Sequence, residues 1–149
     1  DGVQVTLVST ATDATTGTSS NDDVGLFTIK FKVKASGETI YVSSIATDGT
    51  SIDWAVDKGG TATAANTQSA TLVNLTDTDK TTVGNYEIED GEEETFELSI
   101  SVPLGAGGTS GQYRAAINGI LWDTSDDISM ANTYSNNLDD FKTSYKVLN

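Results

Sequence analysis

Two stretches of strict alternation constrain this chain more than anything else in it. Phe27, Ile29, Phe31 and Val33 alternate with Thr28, Lys30, Lys32 and Lys34. Phe96, Leu98, Ile100 and Val102 alternate in the same way with Thr95, Glu97, Ser99 and Ser101. Successive side chains of a strand point to opposite faces, so period two predicts strands with one apolar and one wet face. A helix would need apolar residues three and four apart, and no segment sustains that stripe.

Weaker strand signals follow the same logic. Val3, Val5 and Leu7 alternate with Gln4, Thr6 and Val8. Ile40 and Val42 lie in the run 39–45, Ile52 and Val56 flank Trp54, Leu72, Val73 and Leu75 form another run, and Tyr86 and Ile88 the next. The stretch 113–122 is apolar on both faces, Ala115, Ile117 and Leu121 against Ala116, Ile120 and Trp122, which predicts a central strand. Phe141, Tyr145, Val147 and Leu148 close the chain. Clusters of Gly, Asn, Asp, Ser and Thr separate these runs at 10–23, 47–51, 58–69, 76–82, 90–92, 105–111 and 123–137. The expected fold is therefore all-β, an Ig-like antiparallel β-sandwich of about nine strands without substantial helix, in a single domain over residues 1–149. At most one short helical turn is expected, within 123–140. Phe27, Ile29, Phe31, Phe96, Leu98, Ile100, Tyr113, Ile117 and Leu121 are the expected shared core.

Composition narrows the chemistry. Without cysteine there is no disulfide, thiolate metal site or Cys nucleophile. Without histidine the commonest general base and the Ser-His-Asp arrangement are missing too, so no enzymatic activity is expected. Twenty-two acids against eight bases give a net charge of −14, which repels nucleic acid and anionic lipid. Cations, basic surfaces and neutral polymers such as glycans are the partners this charge favours. No apolar run reaches the roughly 18 residues of a membrane span. The first residue is Asp1 rather than methionine, as in a processed mature protein or an excised domain. Threonine and serine supply 23 and 15 residues, which suits wet strand faces and turns. That composition points to a secreted or cell-surface protein.

Gly111, Gln112, Tyr113 and Arg114 open the expected central strand with a G-x-Y pattern that resembles immunoglobulin-like domains. In those domains the tyrosine packs in the core and its hydroxyl bonds backbone at a corner. Ala115 stands where antibody domains carry cysteine, and Trp54 matches the core tryptophan only roughly. Segments 25–33, 87–102, 111–122 and 138–149 also resemble a loose group of uncharacterised Ig-like domains on bacterial cell-surface proteins. Shared features are F-T-I-K-F-K-V, the acidic E-D-G-E-E-E-T-F, G-x-Y-R and D-F-x-T-x-Y, in that order. The resemblance spans about half the chain; it implies a surface module and carries over no catalytic or binding residue.

Acidic loop residues are the candidate metal ligands. Asp13, Asn21, Asp22 and Asp23 share one segment, Asp77 and Asp79 another, and Asp123, Asp126 and Asp127 a third. Ca²⁺ takes hard oxygen ligands and needs no histidine. If the strands run simply up and down, Asp22, Asp23, Asp48, Asp77 and Asp79 meet at one end of the sandwich. The competing reading is a set of turn aspartates in water. Lys30, Lys32 and Lys34 form a basic stripe, for which pairing with acids such as Glu97 outweighs an isopeptide bond to Asn118. Glu92, Glu93 and Glu94 read as a solvated turn rather than a glycosidase pair. Asn74-Leu75-Thr76 is an N-glycosylation sequon.

Val3, Val5 and Leu7, followed by a long polar stretch, have the layout of a donor strand, in which residues 1–9 would complete a neighbour's sheet. The alternative is an ordinary first strand with a long loop. The favoured function is an extracellular structural module, a subunit of a surface filament or layer that self-associates into a homopolymer. The competing reading is a Ca²⁺-stabilised adhesion or carbohydrate-binding domain, with Trp54, Trp122, Tyr41, Tyr86 and Tyr134 available to stack on sugar.

Overall fold

The computed structural model describes residues 2–46, 52–63, 68–105, 108–127 and 130–149. Its eleven strands are β1 (Gly2–Thr15), β2 (Val24–Ser36), β3 (Ile40–Ser43), β4 (Ile52–Lys58), β5 (Thr61–Thr63), β6 (Ser69–Asn74), β7 (Asn85–Ile88), β8 (Glu93–Pro103), β9 (Gly111–Asp123), β10 (Asn132–Tyr134) and β11 (Lys146–Leu148). The two alternating runs, β2 and β8, pair directly: Phe27 faces Ile100, Ile29 faces Leu98 and Phe31 faces Phe96. Like faces must coincide when the pleats align, so alternation in both strands fixes the parity of this register. One antiparallel sheet has the order β1-β2-β8-β6, and the other runs β5-β4-β9-β3-β7 with β10 and β11 also on β9.

The inner faces of the two sheets form one core. Phe27, Ile29, Phe31, Phe96, Leu98, Ile100, Tyr113 and Ile117 are almost wholly buried, joined by Trp54, Val56, Ile88 and Leu104. Phe31 stacks on Phe96 with ring centroids 5.7 Å apart, and Tyr86 meets Phe96 edge-on at 5.6 Å. Phe141, from the C-terminal segment, reaches Phe31 at 6.5 Å. As expected from its two apolar faces, β9 is central, flanked by β4 and β3 along one side and by β10 and β11 along the other.

Two expectations need correction. Strands number eleven rather than nine among the described residues, because the three-residue β5 and β10 lie in segments that read as loops. No helix is present among the described residues. Leu121 is only half-buried and Ile120 takes the core position, 1% exposed. The cause is a bulge: Asp53 pairs with Gly119 and Trp54 with Ile117, so Asn118 is an extra residue and the alternation changes phase.

Candidate functional site

β1 is the longest strand and an uncovered edge of its sheet. It extends to Thr15, six residues into the segment that reads as a loop, and pairs with β2 of its own chain throughout. Val3, Val5 and Leu7 lie opposite Ala35, Val33 and Phe31 and pack half-buried against the core. Residues 3–8 thus complete their own sheet, a correction to the exchanged donor strand. Between Leu7 and Ser9 the register slips, leaving Val8 as a bulge.

The acidic residues do not converge as expected. Asp22 and Asp23 precede Val24, which pairs with Pro103, while Asn74 leads into Asp77 and Asp79 beside Glu93 and Glu94 at the other end of the sheet. Ten residues of β2 separate these ends, roughly 30 Å. Asp48 lies outside the described residues. Asp77 and Asp79 instead border a cavity of about 220 Å³ with Lys80, Glu87, Glu89, Glu92 and Glu94. Among the described residues, no three Asp or Glu side chains stand close enough together to hold a metal ion.

Most of these carboxylates have structural partners. Asp23 is buried and ties three segments together: Oδ1 accepts the Gly17 N–H at 3.0 Å, Oδ2 accepts the Asn149 N–H at 2.9 Å, and its carbonyl accepts Leu104 N–H. Those donors, Asn149 first and then Gly17, hold its pKa below the ordinary range against burial. Asp22 Oδ2 accepts Ser19 N–H at 2.6 Å, while Oδ1 lies buried against Gly17, where a Cβ would come within 2.0 Å of it. Asp126 accepts from Thr81 Oγ1 and Asn85 Nδ2, and Asp123 caps the N–H groups of Thr124, Ser125 and Ala131. Turn chemistry accounts for these side chains.

Asn74 is 1% exposed. Its Nδ2 donates to Glu94 Oε2, and its Oδ1 accepts the Thr76 and Asp77 N–H groups. A glycan on that nitrogen would have to replace the Glu94 contact inside the fold, so the sequon serves packing here. Glu94 is 5% exposed. Burial pushes its pKa up; the Asn74 bond opposes this, and the charges of Asp77, Glu92 and Glu87 add to the rise.

The basic stripe lies on the outer face of β2. Lys30 and Lys32 reach Glu97 and Glu93 at 3.8 and 3.6 Å, both half-exposed, and Lys34 makes no ion pair among the described residues. Asn118 projects from the outer face of the opposite sheet, so no isopeptide bond joins it to Lys30. Trp54 and Tyr86 are core residues, while Tyr41, Trp122 and Tyr134 are half-buried.

The sequence reading missed a cleft of about 430 Å³ over Ala55, Ala62 and Ala116, walled by Arg114, Asn118, Asp139 and Lys142. At its edge Arg114 Nε donates to Asp57 Oδ2 at 2.6 Å, lies over the Tyr145 ring at 4.5 Å, and Tyr145 donates to Asp57 Oδ1 at 2.8 Å. Burial pushes the Asp57 carboxyl up, but bonds from Arg114, Tyr145 and Gly60 outweigh it and leave the pKa lowered. Residues 57, 114 and 145 meet because β4 and the C-terminal segment both pair with β9.

Tyr113 is buried and its hydroxyl donates to the Thr109 carbonyl at 2.6 Å, four residues upstream. Tyr113→Phe removes one partly buried hydrogen bond and lowers stability by about 1 kcal/mol in urea unfolding. An unchanged midpoint would mean the hydroxyl contributes nothing. Comparison with protein-family models, with curated proteins and with solved structures finds no match for this chain.

Proposed function

We propose that this chain is a structural module of an extracellular surface assembly, a filament or layer in which copies join through sheet edges. The observation that carries this reading is β1, a fourteen-residue edge strand without proline and with Asp13 as its single charge. Proteins that stay monomeric blunt such edges with lysine, proline, bulges or a covering element, because unpaired N–H and C=O groups recruit another strand; of these β1 carries the bulge at Val8 but neither lysine nor proline. β6 forms the opposite edge of the same sheet, with Val73 and Leu75 exposed beside it. Edge pairing takes the place of the strand exchange expected from the sequence. The wealth of Thr and Ser supports an extracellular setting. Electron microscopy of the concentrated protein should show repeating fibres or sheets. Single compact particles at every concentration would defeat the reading.

An adhesion or carbohydrate-binding module is the second reading, and the cleft beside Arg114 favours it. Its volume suits a mono- or disaccharide, and Asn118, Ser135, Asp139 and Lys142 offer hydrogen bonds along its wall. Glycan-array binding that is lost in Asn118→Ala would support it.

A further inference from the structure

We infer that the β1 edge pairs with β1 of a second copy, antiparallel about a two-fold axis passing between Val8 and Ser9. This deepens the assembly reading and rests on it. The register follows from the bulge. Before Val8, the odd residues Val3, Val5 and Leu7 lie opposite the inward Ala35, Val33 and Phe31 of β2. After it, the even residues Thr10, Thr12 and Ala14 lie opposite the inward Ile29, Phe27 and Gly25. Directly opposed residues of an antiparallel pair share one face. A two-fold at the centre of a regular fourteen-residue strand would oppose inward to outward residues and fail. The phase change at Val8 removes that conflict, so Val3 faces Ala14 of the partner copy, Val5 faces Thr12, and Leu7 faces Thr10.

Hydrogen-bonding parity gives the same register independently. Ala35 donates its N–H to Glu92, toward β8, so the inward residues of β2 turn their N–H groups away from β1. Their partners on β1 therefore turn their own N–H and C=O groups to the open side. Ala14 agrees: its N–H is taken by the Asp13 carboxylate instead of β2. The donors and acceptors turned to the open side are thus those of Val3, Val5, Leu7, Thr10, Thr12 and Ala14, and the register opposes them in hydrogen-bonding pairs.

Charge permits the contact. Of the chain's 22 acidic residues only Asp13 lies on β1, so the seam avoids most of the −14 charge. Pairing hands the Ala14 N–H to the partner's Val3 carbonyl and places Asp13 opposite Gln4. Gln4 is in turn paired with Lys34, which has no ion partner within its own chain among the described residues. The joined sheet would read β6-β8-β2-β1 and then the same four strands reversed, leaving β6 free at both ends for further growth.

Thr6 and Ala11 test the register, because the pairing opposes each to the other across the seam while both are exposed in the single chain. Along one strand they are roughly 16 Å apart and cannot bridge; across the seam their Cα atoms would lie about 4.5 Å apart, within disulfide range. In this cysteine-free chain, Thr6→Cys/Ala11→Cys should oxidise to a covalent dimer. Sedimentation should show a concentration-dependent dimer for the wild type. Thr6→Lys/Ala11→Lys opposes like charges twice and should weaken association ~10-fold, and Thr6→Lys/Ala11→Glu should restore it. A wild type that stays monomeric at high concentration overturns both this pairing and the assembly reading. Association without the disulfide, or indifferent to the charge reversal, overturns the pairing alone.

Discussion

Asn74→Ala should destabilise the fold by about 2–4 kcal/mol, far more than a loop asparagine ordinarily costs to replace. The side chain closes the end of β6: it holds the buried Glu94 carboxylate through Nδ2 and caps the turn into 75–79 through Oδ1. Alanine leaves Glu94 in its buried site without that donor, and the Thr76 and Asp77 N–H groups without their acceptor. The loop they start is also held by Leu75 N–H on the Thr95 carbonyl and by Thr95 N–H on Thr76 Oγ1. Urea unfolding measures the loss. Asn74→Asp separates the causes, since it keeps the turn acceptor but sets a second carboxylate against Glu94; its deficit should shrink in acid. A wild-type midpoint for Asn74→Ala would show that water replaces both contacts at no cost.

The pairing of β2 with β8 was legible because alternation over four apolar residues fixes which face of each strand turns inward. What defeated the sequence reading was the single residue that changes phase. Val8 and Asn118 carry no compositional mark, yet each bulge turns every later side chain of its strand over. Leu121 was assigned to the core by parity alone, and the extra residue at 118 gave that place to Ile120. The end of β1 failed for another reason. An edge strand buries one narrow stripe, so Thr10, Ala11, Thr12 and Asp13 have the composition of a loop while sitting in a ladder.

The candidate metal site was misplaced by topology rather than chemistry. Putting Asp22 and Asp77 at one end required an even count of strands between the loops that carry them. β5, three residues long, adds a reversal between β4 and β6 and sends the turn after Asn74 to the opposite end. Asp57, Arg114 and Tyr145 meet because β4 and the C-terminal segment both lie along β9. Residues so far apart in sequence signal no such meeting when read singly.

Stability should be greatest in mildly acid solution, with Tm rising as pH falls from neutral and falling again in stronger acid. Glu94 governs the first limb. Its folded pKa is raised, chiefly by burial, so its contribution is complete below the unfolded value of about 4.3 and is lost as pH rises through the higher folded value. Asp23 and Asp57 govern the second. Their folded pKa values are lowered, so their contribution is present above the unfolded value of about 3.9 and is lost as pH falls through the lower folded values. The net charge of −14 acts in the same sense as Glu94, because protonating acids relieves repulsion within the folded chain. Thermal melts from pH 3 to 8 give the profile, and two variants assign its limbs. Glu94→Gln keeps an acceptor for Asn74 without the charge, so it should gain stability at pH 7 and flatten the rise toward pH 5. Asp23→Asn replaces a carboxylate that holds two backbone N–H groups, so it should lose stability at pH 7 and show a shallower decline in acid. A Glu94→Gln profile that rises from pH 7 to 5 as steeply as the wild type would show that the benefit of acid comes from net charge alone.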